Sequence, residues 1–262
     1  VRESYRDPIT TFATNVMGTV HVLEAARQTK CTRAMVIVTS DKCYENREWV
    51  WGYRETEALG GYDPYSSSKG CSELVTSAYR RSFLLQADIP VATARAGNVI
   101  GGGDWSEDRL IPDMIRSFIK GKTGAIRYPE STRPWQHVLE PLAGYLLLAT
   151  KLFAEGREYA DAWNFGPEQN DVKQVRWMAN ELVALWGEGV NWKNVNDNSS
   201  HEAKLLSLDI SKAKNLLNWK PRWTSATALN KTVEWYRSWQ AKDDMRSITL
   251  HQIAEYESSQ TE

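Results

Sequence analysis

Tyr65 and Lys69 are the pair in this chain best suited to chemistry. Asp63 is a good helix cap and Pro64 a good first helical residue, so the spacing predicts a helix carrying Tyr65 and Lys69 one turn apart on one face. A tyrosine phenol ordinarily ionises near pH ~10, and an ammonium group held beside it stabilises the phenolate. Such a pair is a candidate base for drawing a proton from an alcohol while hydride leaves the same carbon. Tyr65 is the only one of the eleven tyrosines with lysine four residues on. The same spacing also serves ordinary solvated helix faces, so the weight lies with the elements around it.

Two apolar runs supply those elements. Ala34-Met35-Val36-Ile37-Val38 is continuous and of strand length, and it ends in Thr39-Ser40-Asp41-Lys42. Pro90 to Arg95 reads as a second buried strand, followed by Ala96-Gly97-Asn98 and the glycine run Gly101-Gly102-Gly103. Strands apolar on both faces belong to parallel sheets covered by helices, and open sheets of that kind place ligands beyond the carboxyl ends of their strands. A helix opened by Asp7-Pro8 precedes the first run, with apolar residues at helical spacing up to about Lys30, and the Tyr65 helix runs to about Leu85. Helix, strand, helix, strand is the doubly wound α/β pattern. Beyond Asp104 the order becomes mixed, with helices expected near 110–120, 140–153, 172–185, 211–217, 226–239 and 244–256. Short strands are expected near 125–128, 163–166, 190–195 and 204–208. The expected division is a sheet domain over residues 1–165, with some lobe segments interleaved, and a smaller, Trp-rich α/β lobe over 166–262.

Composition narrows the partners. With 262 residues and 42% hydrophobic content the chain can bury a proper core, and its net charge of −1 gives no footprint for nucleic acid or an anionic membrane. Apolar runs such as 145–149 are far too short to span a bilayer, and no secretion signal is visible at the start. Cys31, Cys43 and Cys71 are odd in number and lack CxxC spacing, which suits a reduced, cytoplasmic protein. His21, His137, His201 and His251 are too dispersed for a local metal motif, and no metal is expected. The twelve tryptophans read mostly as packing, and Cys43 and Cys71 as small buried side chains without a histidine partner. No GxGxxG or GxxGxxG phosphate turn occurs in the sequence. On that reading the chain is either not a dinucleotide enzyme or lacks the front of one.

Thr39-Ser40-Asp41-Lys42, Tyr65-Ser66-Ser67-Ser68-Lys69 and Arg95-Ala96-Gly97-Asn98 together resemble the extended short-chain dehydrogenase/reductase family of nucleotide-sugar enzymes. Finer stretches are similar to the branch of its 4,6-dehydratases that acts on CDP-glucose. They are Thr14 to Thr19, Asp41 to Tyr44, Asn46 to Trp49, Gly101 to Trp105 and Arg133 to Leu142. The resemblance implies a Rossmann-like sheet missing its first βα units, NAD as bound cofactor, and a chain reaching CDP-4-dehydro-6-deoxyglucose for deoxysugar or O-antigen synthesis.

By the same resemblance Tyr65 takes the proton of the sugar 4-hydroxyl, while Lys69 holds the nicotinamide ribose and favours the phenolate. Asp41 and Lys42 are available to expel water across C5 and C6. Many related dehydratases have glutamate as the base where Lys42 stands, and a lysine can replace it only as the neutral amine, which burial beside other cations would favour. Thr39 and Ser40 are expected to hydrogen-bond the sugar or Tyr65, with Thr39 also on the cofactor side. Asn98, Arg109, Arg133, His137, Asn164 and His201 are expected around the nucleotide sugar, Arg133 being the stronger candidate for its diphosphate. The family also implies a homodimer through the Asp7 and Tyr65 helices, the latter presenting Leu74, Val75, Ala78 and Tyr79 away from the reactive face. Two alternatives stand beside this reading: another nucleotide-sugar dehydratase or epimerase, and a nucleotide-sugar-binding module without catalysis.

Overall fold

The computed structural model describes residues 1–29, 31–195 and 203–259. His201 therefore lies outside the described residues. The chain divides into two compact units, the first formed by residues 1–97, 142–166 and 206–219, the second by 98–141, 167–205 and 220–262. The interleaving goes further than one boundary near residue 165. The segment after the strand Val91–Ala96 leaves the first unit, returns for one more helix and strand, and returns again at residue 206.

The first unit holds a three-stranded parallel sheet in the order Met35–Val38, Val91–Ala96, Ala162–Phe165, with Met35 opposite Val91 and Thr93 opposite Ala162. This is the Rossmann-like α/β architecture expected from the sequence. Both faces are covered, as an all-parallel sheet requires. Alternation sends Val36, Ala92 and Ala94 into a core with Leu148, Leu152, Trp163 and Phe165. On the other face Val91, with Met35 and Ile37 beside it, packs against Leu23 and Leu84, joined by Val75 and Tyr79. Val75 and Tyr79 are thus partly buried against this core, whereas Leu74 of the same helix is exposed.

The Tyr65 helix spans Pro64–Tyr79 and continues as a π turn over Arg80–Leu84. Its start is the one expected: Pro64 is the first helical residue and the Asp63 carboxylate accepts the Ser66 amide at 3.0 Å. Asp7 and Pro8 open the first long helical stretch in the same way. Residues 204–208 form only isolated bridges at Leu205 and Leu208 instead of a strand, because each meets a single residue of its neighbour.

The second unit contains short paired strands, Val99–Ile100 with Gln136–His137, Gly124–Ile126 with Trp192–Asn194, and Thr132–Arg133 with Lys173–Gln174. Its core joins Ile111, Met114 and Phe118 of helix Leu110–Ile119 to Met178, Leu182, Trp186, Leu229 and Val233. The two-residue strands left no sequence signal, since a period of two needs about four residues to be seen. Buried Glu140 ties the C-terminal helix in, accepting from the Arg222 and Trp223 amides and from the Tyr256 hydroxyl at 2.8 Å.

Gly144 sits mid-helix, where glycine costs about 1 kcal/mol relative to alanine. A Cβ there would lie 2.4 Å from the Phe165 ring. Overpacking of that kind costs about 1–3 kcal/mol, enough to outweigh the propensity gain. Gly144→Ala is therefore expected to lower the urea midpoint of unfolding, and a raised midpoint would show that the ring yields freely.

Candidate active site

All five residues expected to react lie in the first unit. Tyr65 and Lys69 are both half-buried near the start of the Pro64–Tyr79 helix, and the Lys69 ammonium stands 5.9 Å from the centre of the Tyr65 ring. Lys69 makes no hydrogen bond or ion pair among the described residues. Burial pulls its ammonium below the ordinary lysine range, with Cys43 acting weakly the other way. A partly desolvated ammonium without an acceptor is the donor a phenolate or a ribose diol would satisfy.

The strand Met35–Val38 delivers the second group. Its carboxyl end runs into a short 3₁₀ turn, Asp41–Cys43, capped by the Ser40 hydroxyl, which accepts the Lys42 amide at 3.2 Å and donates to Asp41 Oδ1 at 3.0 Å. Asp41 is buried and Lys42 half-exposed. Lys42 is thus less enclosed than the expected burial among cations. The turn packs directly on the Tyr65 helix. Gly70 permits this: a Cβ there would lie 3.3 Å from the Cys43 carbonyl oxygen and 3.2 Å from that of Gly60. The Gly60 amide donates to the same Cys43 carbonyl at 2.9 Å.

Beneath this surface lies a buried polar network that the sequence reading missed. Glu73, 3% exposed, accepts from the hydroxyls of Thr39 and Thr93 (the latter at 2.7 Å) and from Arg95 at 2.8 Å. Arg95, equally buried, also donates to the Tyr44 hydroxyl at 2.7 Å and the Glu55 carbonyl at 3.0 Å. Tyr44 donates in turn to Asn164 Oδ1 at 2.7 Å. The Asn164 side-chain amide donates to the Tyr53 and Asp209 carbonyls, and its backbone amide to Glu55 Oε1. Two expectations change here. Asn164 is fully buried and holds loops together, where a substrate contact was expected, and the Thr39 hydroxyl is committed to Glu73, where a cofactor or sugar contact was expected. A signal was present: Arg95 ends a run of small buried residues and demands a carboxylate, and Glu73 is two turns from Tyr65 on the same face.

In the second unit, Asn98 is half-buried and its carbonyl accepts the Gln136 amide at 3.0 Å. Arg133 is buried and donates to the Thr132 carbonyl at 2.9 Å. Arg109 precedes helix Leu110–Ile119, is 61% exposed and pairs with Asp104 at 2.8 Å. Gly102 is required for packing, since a Cβ there would meet the Trp235 ring at 2.0 Å, so the glycine run serves the fold directly. His137 is buried, edge-on to Trp223 at 4.9 Å between ring centres. Its Nδ1 accepts the Leu139 amide at 3.3 Å, which leaves the proton on Nε2, and Nε2 has no partner among the described residues. Burial, then the charge of Lys231, lowers its pKa to about 4. Among the described residues no cluster of His, Cys, Asp and Glu could hold a metal ion, no cysteine is paired, and no helix is long and apolar enough to cross a membrane.

The family of GDP-mannose 4,6 dehydratase matches residues 1–232. A CDP-glucose 4,6-dehydratase of Salmonella typhimurium is 51% identical over 266 residues, which cover all of this chain and 74% of that protein. A dTDP-glucose 4,6-dehydratase of Escherichia coli is 26% identical, over 91% of this chain and 70% of its own length. Among solved structures, DesIV, a dTDP-glucose 4,6-dehydratase of Streptomyces venezuelae with NAD and TYD bound, superposes with a TM-score of 0.79. It is 25% identical, over 93% of this chain and 72% of its own. A UDP-galactose 4-epimerase gives 0.74 at 27% identity, over 89% and 72%.

A depressed histidine pKa makes stability pH-dependent. The unfolded chain binds the His137 proton below about pH 6.5 and the folded chain only near 4, so this residue's contribution is complete above about 6.5 and is lost as pH falls towards 4. The loss reaches up to about 3 kcal/mol by the usual conversion of pKa shift to energy. His137→Phe is expected to flatten the acid side of the stability profile between those values, and an unchanged slope would contradict the assignment.

Proposed function

The chain belongs to the GDP-mannose 4,6 dehydratase family, and we propose that it converts CDP-glucose to CDP-4-dehydro-6-deoxyglucose with NAD as bound cofactor. The observation that carries this reading is the 51% identity to a CDP-glucose 4,6-dehydratase along the whole chain. The residues present fit one end of the cofactor: the desolvated Lys69 ammonium suits a ribose diol beside Tyr65. NAD, when bound, supplies the acceptor for the C4 hydride and the donor that returns it to C6.

Tyr65 removes the proton of the 4-hydroxyl, and Lys69 stabilises the phenolate and holds the ribose. The 4-keto group then acidifies C5–H. Removal of that proton falls to Lys42, which accepts it only as the free amine, and Asp41 in its acid form gives a proton to the departing C6 oxygen, so one water leaves. Ser40, bonded to Asp41 at 3.0 Å, orients the carboxyl and meets the sugar. Arg133 and Arg109 are assigned to the diphosphate, with Asn98 and His137 on the sugar and nucleotide side. The protein acts as a homodimer through helix Pro64–Tyr79 and the helices opened by Asp7. Support comes from the exposed Ile9, Phe12, Met17, Val22 and Leu74 on those elements. Three unpaired cysteines support a reducing, cytoplasmic setting, and the product serves deoxysugar synthesis.

A binding module without turnover is the second reading, favoured by the half-exposed position of Lys42, which gives little desolvation to hold its amine neutral. The test is incubation of the chain with NAD and CDP-, dTDP-, UDP- or GDP-glucose, followed by the absorbance of a 4-keto product in alkali. CDP-glucose is expected to be the best substrate, with Tyr65→Phe slowing turnover by about 10²–10⁴-fold. Lys42→Met is expected to abolish exchange of C5–H with solvent. Binding of CDP-glucose without any product would establish the binding module instead, and a 4-epimer as sole product an epimerase.

A further inference from the structure

A charged residue in the middle of a buried surface needs a reason. Glu73 falls four residues after Lys69 and eight after Tyr65, so the three share a helical face. Tyr65 and Lys69 are half-buried at the end of that face, while Glu73 meets the sheet. Its Oε2 takes Thr93 and Arg95 from the central strand Val91–Ala96, and its Oε1 takes the Thr39 hydroxyl at the end of the neighbouring strand. Thr39 is the residue immediately before Ser40, Asp41 and Lys42. A single carboxylate therefore connects the helix bearing the phenol and ammonium to the strand end bearing the acid and amine.

An alternative without charge was open to this helix. A buried ion pair is seldom worth more than a well-packed apolar pair of equal volume, so simple stabilisation does not explain it. What the carboxylate adds is direction. Three donors from two strands fix where the helix sits along its own axis, which apolar packing leaves soft. Arg95 extends the hold by donating to Tyr44 Oη and the Glu55 carbonyl, either side of the loop that follows the 3₁₀ turn.

We propose that Glu73 is a positioning residue for the reaction, setting the distance between the Tyr65–Lys69 pair and the Ser40–Asp41–Lys42 turn through its bond to Thr39. This deepens the dehydratase reading and rests on it for its kinetic arm. The variant that cuts the bond alone is Thr39→Val, which removes one hydroxyl, keeps the shape and leaves the Glu73–Arg95 pair intact. Glu73→Leu with Arg95→Met is its companion, removing the acceptor of the Thr39 hydroxyl and both charges so that neither is stranded.

The experiment measures kcat and KM for CDP-glucose together with hydrogen exchange at the Cys43 and Gly60 amides, which bond within the turn and onto it. In Thr39→Val, kcat is expected to fall about 10–100-fold with KM within about twofold, since small misplacements of reacting groups cost rate. Exchange at those two amides is expected to rise about tenfold, with the second unit's exchange unchanged. The double variant is expected to repeat this pattern with its folded fraction preserved. Unchanged kcat and exchange in Thr39→Val, or kcat falling only with the folded fraction, would overturn the proposal. If the wild type turns over no nucleotide sugar, the dehydratase reading fails, and the exchange arm alone decides the role of Glu73.

Discussion

The close approach of the Pro64–Tyr79 helix to the turn after the first strand is the constraint on which the site depends. It is possible because Gly70 has no side chain where the Cys43 and Gly60 carbonyls press in. Bringing the two elements together removes water from Lys69, and a desolvated ammonium interacts with a neighbouring phenol far more strongly than one in bulk solvent. Steric fit and electrostatics are therefore one arrangement here. The same approach buries Cys43, whose thiol is pushed well above its usual range, so the cysteine beside the reactive groups is inert.

Much of this was legible in the sequence, for reasons that can be named. Asp63-Pro64 and Asp7-Pro8 announce helix starts because the cap and the missing amide are local properties. The runs at 34–38 and 90–95 announce strands of a covered parallel sheet because they are mainly apolar without a period-two break over strand length. Motif positions then place Tyr65, Lys69 and the 39–42 segment at element ends without any knowledge of contacts. What stayed hidden was long-range. Asn164 carries a side chain that suits a ligand, and only the fold shows its amide spent on Tyr53, Asp209 and Tyr44. Thr39 was similarly legible as a strand end and illegible as the partner of a residue 34 positions away.

Both units solve the same problem by burying a carboxylate as a hub. Glu73 gathers side-chain donors from two strands, and Glu140 gathers two backbone amides and the Tyr256 hydroxyl. Burial raises the pKa of Glu140 while its hydrogen bonds oppose the rise, which is the balance expected of a carboxylate kept for geometry. The chain is similar both to dehydratases and to a 4-epimerase.

The most direct measurement is the ionisation of Tyr65 itself, followed by NMR of the chain with ¹³C at the tyrosine ζ carbons, the Tyr65 signal being assigned with Tyr65→Phe. The Tyr65 phenolate is expected to appear at lower pH in the wild type than in Lys69→Met, because removing the ammonium removes the charge that favours it. Coincident titrations in the two proteins would contradict it.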